Sequence, residues 1–160
     1  MLIAAHAMGP SLAAAGRPAI VGFVQTADFY SVQRAVDGAA ARLSHSTCRE
    51  VLADFSDAHG RKLADTLVDS GSNASRAFDL LYFFDERSAR VCSTGRTLAF
   101  TEPGSRVIHI CARSFTDAFL KNPLTVELIV IHEFLHALGL GENPPTSAAI
   151  TARVQARCSS

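Results

Sequence analysis

The sequence predicts an α+β fold, a short mixed sheet packed on a buried helix at about 123–138 with a C-terminal helix after it. Three observations carry this. Residues 124–138 read LTVELIVIHEFLHAL, apolar on nearly every face and too long for a strand. Between 79 and 112, short apolar runs alternate with acids and a Pro-Gly turn, the pattern of brief strands. Residues 31–43 place Val32, Ala35, Val36, Ala39 and Leu43 on one helical stripe.

In chain order, the helix at 31–43 comes first. An apolar pattern between Cys48 and Phe55 fits helix or strand equally, and 63–68 reads as a short helix after the turn at Gly60. The run 79–84 (DLLYFF) has the form of a buried strand, with Tyr82 in the core. Strands at 97–101 and 106–112 flank the turn Glu102-Pro103-Gly104-Ser105 and predict a hairpin. In the second strand Val107, His109 and Cys111 face one way, Ile108 and Ile110 the other. Asn122 is a natural N-cap and Pro123 a natural first helical residue, so the buried helix starts there. Gly139 supplies a left-handed stop, with Leu140 folding back on the last turn. In the final segment Ile150, Val154 and Cys158 recur one turn apart on a single face.

The chain has 160 residues, 48% of them hydrophobic, enough for one domain with a sizeable core. No repeat or linker divides it, so the expected division is a tail or signal-peptide remnant at 1–30 and one domain at 31–160. Fifteen basic residues balance fifteen acidic ones, which gives no electrostatic footprint for nucleic acid. No uncharged apolar stretch is long enough for a membrane span. The four cysteines, Cys48, Cys92, Cys111 and Cys158, are far apart, and none forms the close pair of a zinc ribbon. Two disulfides and a secreted or periplasmic location are the expectation. Cys92 lies near the first hairpin arm and pairs with Cys111, contributing roughly 3 kcal/mol. Cys158 points inward with Ile150 and Val154, and pairs with Cys48.

Ionisable groups inside so apolar a helix need a shared reason to be there. His132 and His136 stand one turn apart and project onto one face, a spacing that lets two imidazoles bind one zinc ion. Glu133 reaches a water beside the metal, where it can serve as general base. At this histidine content a shuffled chain would show HExxH roughly one time in a hundred. His109 borders the cleft as an alternative donor or packs within its strand. No Gly-x-Ser-x-Gly elbow or phosphate loop offers another chemistry.

The run from His132 to Glu142 resembles the extended zinc motif of the metzincin metallopeptidases, HExxHxxGxxH, with Glu142 where that family has its third histidine. Two histidines and a carboxylate resemble the thermolysin-like ligand set. Metzincins also carry a Met beneath the zinc, downstream of the motif; here the only methionines are Met1 and Met8, so the broader name zincin fits. The tail from Leu138 to Cys158 looks like that of small bacterial proteins regarded as exported metallopeptidases. The resemblance implies a zincin-like domain with one zinc ion on His132, His136 and Glu142, Glu133 as base, and a peptide or protein as substrate. For the third ligand the rival is that Glu142 faces solvent while His109 or water completes the shell. By analogy with zincins, the strand at 107–111 would pair with an extended substrate. Two other functions stay open: a non-hydrolytic zinc-binding module, and a deformylase-like amidase with Cys92 or Cys111 as ligand.

Overall fold

The computed structural model describes residues 20–22 and 24–160. In chain order the elements are β1 (Ile20–Val21), α1 (Thr26–Leu43), α2 (Ser46–Arg49), α3 (Val51–Asp54), α4 (Leu63–Asp69) and α5 (Ala74–Phe78). Then come β2 (Tyr82–Asp85), a 3-10 turn (Arg90–Thr94), β3 (Ala99–Phe100), β4 (Val107–Ile110), α6 (Ala112–Lys121), α7 (Pro123–Ala137) and α8 (Ser147–Cys158). The fold is α+β. Its sheet has the order β1-β2-β4-β3, with β1, β2 and β4 parallel and β3 antiparallel to β4.

α7 is the hub. The Asn122 side chain accepts from the Thr125 N–H at 3.3 Å, and Pro123 occupies the first turn. Val126, Val130, Ile131, Phe134 and Leu135 are all fully buried, packed among α1, α6, α8, β3 and β4. Phe78 of α5 meets Phe134 edge to face at 5.4 Å. The α1 stripe of Val32, Ala35, Val36, Ala39 and Leu43 is buried as its spacing requires. The helix itself starts earlier, at Thr26. The stretch 1–30, read as a tail, therefore contains β1 and the opening of α1, and residues 1–19 lie outside the described residues.

The hairpin forms with Ala99 opposite Ile110 and Phe100 opposite His109. Ile108 and Ile110 are buried and Val107 and His109 half-buried, the alternation expected. Both disulfides are present, Cys48–Cys158 with Cα atoms 4.4 Å apart and Cys92–Cys111 with 5.3 Å, and no free cysteine remains. Among the described residues no helix is long and apolar enough to cross a membrane.

One open alternative is decided and two expectations need correction. The run 48–55, open between helix and strand, holds parts of two short helices with Cys48, Val51 and Leu52 buried: α2 packs on α1 and the C-terminal helix, α3 on α4 and the C-terminal helix. Tyr82 is exposed rather than core, because strand alternation buries Phe83 and turns Tyr82 outward. The strand at 107–111 is not an edge: β4 is paired on both sides, by β2 and β3. The free edge near α7 belongs to β3.

Candidate metal centre

The site is built where α7 ends. Gly139 takes φ +104°, its N–H bonds the His136 carbonyl at 2.8 Å, and the Leu140 N–H bonds the Leu135 carbonyl at 3.1 Å. This is a Schellman termination, in which only glycine takes the left-handed position freely. It buries Leu140 and swings the chain back across the last helical turn, so that Glu142 faces the two histidines.

The donor atoms converge. His132 Nε2 and His136 Nε2 are 3.0 Å apart, and Glu142 Oε1 lies 3.3 Å from His136 Nε2 and 3.7 Å from His132 Nε2. Both rings are about 95% buried, whereas the Glu142 side chain is partly exposed. His109 does not join them. Its ring stacks on Phe100 at 4.9 Å and its Nδ1 stands 3.5 Å from Glu86 Oε1.

The far side of each ring is also held. His136 Nδ1–H donates to the Leu140 carbonyl at 2.7 Å. A carbonyl only accepts, so a neutral His136 carries its proton on Nδ1 and presents a bare Nε2 lone pair. His132 Nδ1 faces the Thr151 hydroxyl of α8 at 3.0 Å. When that hydroxyl accepts, two nitrogen lone pairs meet, an arrangement that calls for a cation between them. When it donates, His132 Nε2–H bonds His136 and the pair is satisfied without one. Partners of this kind orient metal-ligating histidines. Thr151 has no periodic or motif signal in the sequence; only packing of α8 on α7 brings it there.

Glu133 points into the same cavity, of about 470 Å³, which Thr97, Phe100, Thr101 and Pro103 line from the hairpin side. Its Oε2 is buried with no hydrogen-bond partner, and so is the Thr101 hydroxyl beside it. Two orphaned buried oxygens facing one cavity mark a place for a polar occupant such as water. Burial pushes the Glu133 carboxyl up to about 7, opposed by the Thr101 hydroxyl and aided by the Glu142 charge. Burial also brings His132 down to about 4, with repulsion from His136 adding to it and Glu142 acting the other way. His132 is then uncharged at neutral pH, the form that ligates.

These shifts give the metal-free protein a pH signature. Unfolded, Glu133 ionises near 4.5, but folded it holds its proton to about 7, so its burial costs stability as pH rises through that interval. Unfolded, His132 protonates near 6.5, but folded it resists to about 4, so stability falls as pH drops through that range. Glu133→Gln should therefore gain melting temperature over the chelated wild type between pH 5 and 7.5, the gap widening with pH. A gap independent of pH would mean that Glu133 is not held protonated.

The structure thus brings His132, Glu133, His136 and Glu142 to one cavity, leaves His109 outside it, and adds Thr101 and Thr151, which sequence reasoning did not single out. Comparison with protein-family models, curated proteins and solved structures finds no match, so the functional reading rests on this geometry and on the motif.

Proposed function

We propose that the protein is a zincin-like, zinc-dependent peptidase that holds one zinc ion on His132, His136 and Glu142 and uses Glu133 as general base. The observation that carries it is the convergence of two imidazole nitrogens and a carboxylate oxygen on one point, beside a buried carboxyl group with an unpartnered oxygen. Tetrahedral zinc with bonds of about 2.0–2.1 Å sets neighbouring donors roughly 3.3 Å apart. The three separations here, 3.0, 3.3 and 3.7 Å, bracket that value.

Bound zinc supplies Lewis acidity, lowering the pKa of water and polarising a carbonyl. The chain's own residues do the rest. Glu133, whose hold on a proton burial raises to about 7, would in its ionised form take a proton from the attacking water and pass it to the leaving amine. The Thr101 hydroxyl beside it offers a further polar contact to whatever occupies the cavity. The free edge of β3 beside Phe100 pairs with an extended peptide, presenting a peptide bond to the cavity. The two disulfides suit an oxidising compartment, and we place the protein in the secreted or periplasmic space.

Two rivals are weaker on specific grounds. A structural zinc closes its shell with four protein ligands, and among the described residues no fourth His, Cys, Asp or Glu joins the three. A deformylase-like centre needs a cysteine ligand, and all four cysteines are bridged.

The deciding experiment is metal analysis of the purified protein, paired with cleavage of an unfolded protein substrate before and after chelation. One zinc per chain and activity lost to chelator and restored by zinc are expected. Glu142→Ala should weaken zinc binding by more than about a hundredfold, beyond what loss of an outer partner costs, and His109→Ala should leave it unchanged. Zinc-free protein with full activity would end the proposal.

A further inference from the structure

A second cavity, of about 410 Å³, lies across the 101–106 turn from the metal centre. Pro103 lines the first cavity and Gly104 the second, and between them the Gly104 N–H bonds the His136 carbonyl at 2.9 Å. The floor of this second cavity is apolar and buried, formed by Leu67, Leu81 and Phe134. Arg76, Arg106 and Ser70 also line the cavity; the two arginines are exposed, and the Ser70 hydroxyl donates to the Leu67 carbonyl at 2.8 Å. No Asp or Glu lines it. Neither guanidinium has a side-chain hydrogen bond or ion pair among the described residues, whereas Arg42, Arg61, Arg87 and Arg157 are each closed by a carboxylate.

Two arginines without an acidic partner, at the rim of a cavity with an apolar floor, form a chemical complement. A guanidinium grips a carboxylate with two parallel hydrogen bonds. The floor rewards an apolar group attached to that carboxylate, and the volume falls within the range of small-ligand sites. A bare inorganic anion would leave the floor uncovered. We propose that this cavity binds a carboxylate joined to an apolar body, the charge held by Arg76 and Arg106 and the body seated on Leu67, Leu81 and Phe134. The C-terminal residue of a peptide and a free organic acid share this chemistry. Nothing in the cavity is a metal donor, so the inference stands apart from the zinc reading.

Calorimetric titration of the full chain with acetyl-Ala-Ala-Leu, its C-terminal carboxamide and octanoate tests it. One saturable site for the acid peptide or octanoate is expected, with the carboxamide at least tenfold weaker than the acid peptide. Arg76→Gln and Arg106→Gln should each weaken binding at least tenfold, and the exposed Arg34→Gln should not. The Arg76 amide bond to Asn73 and the Arg106 carbonyl bond to Tyr82 are main-chain contacts, so both variants keep them. Intact disulfides and an unchanged circular dichroism spectrum check the fold. Tighter binding of the peptide identifies a chain terminus as the ligand, and tighter binding of octanoate identifies a free acid. Equal affinity for acid and carboxamide, no saturable binding of any probe, or an unchanged double variant overturns the proposal.

Discussion

Glu133→Gln is expected to lower peptide-bond hydrolysis at least about a hundredfold while one zinc per chain remains bound. The amide has the shape of the carboxyl group but cannot accept a proton from water and release it again. The donors on His132, His136 and Glu142 are other atoms, so the ion should stay. Calorimetric zinc binding and turnover on a fluorogenic peptide, measured on the same preparation, separate the two effects. Full activity in the variant would remove Glu133 as the base. A wild type that binds zinc yet cleaves nothing in a broad peptide panel would instead favour the non-hydrolytic module.

The largest stability effect should come from Cys48–Cys158. Its sequence separation is 110 against 19 for Cys92–Cys111, so chain entropy assigns about 5 kcal/mol to the first and about 3 kcal/mol to the second. Domains of this kind carry only about 5–15 kcal/mol in all. Cys48→Ala/Cys158→Ala should therefore bring the chain close to unfolding at 37 °C, and Cys92→Ala/Cys111→Ala should cost less. Urea denaturation of both double variants orders them, and a reversed order would reject the account. Polar ties remain at the same junction, among them Arg157 to Asp54 at 2.9 Å and to Glu50 at 2.6 Å, and Arg42 to the Cys158 carbonyl at 2.8 Å. The Arg157 hydrogen bond holds the Asp54 carboxyl below its ordinary value, so the Arg157–Asp54 tie weakens as acid protonates Asp54, and the unbridged variant should be the more acid-sensitive. Because α8 carries Thr151 against His132, loosening it also removes a partner of that ring.

What the sequence made legible follows from how local each signal is. α7 stood out because a capping Asn, a leading Pro, an unbroken apolar run and a terminating Gly agree with one another. The disulfide partners could be read from a hairpin and from one helical face. α6 was not read, although Ala112, Phe115 and Phe119 are its buried stripe, since an exposed Leu120 blurs the pattern and it follows β4 after Cys111 alone. α5 is only five residues long, too short for periodicity to show. Strand order is a property of the whole chain, so the interior place of β4 could not be seen from its own residues. Thr101 and Thr151 matter only because distant segments dock, and a lone threonine announces nothing in a sequence.

The Schellman turn at Gly139 has a kinetic corollary. It places all three converging donors between His132 and Glu142, within the last turns of one helix and the bend that follows. Bringing them together closes only a very short loop, and short-range contacts of this sort form on the helix–coil timescale, far ahead of long-range docking. The remainder of the centre is assembled from far away: Thr151 arrives when α8 docks, Thr101 when the hairpin closes. On the proposed zinc reading, the helix end would therefore gather its three donors before the distant segments dock, and the rest of the cleft would close around them.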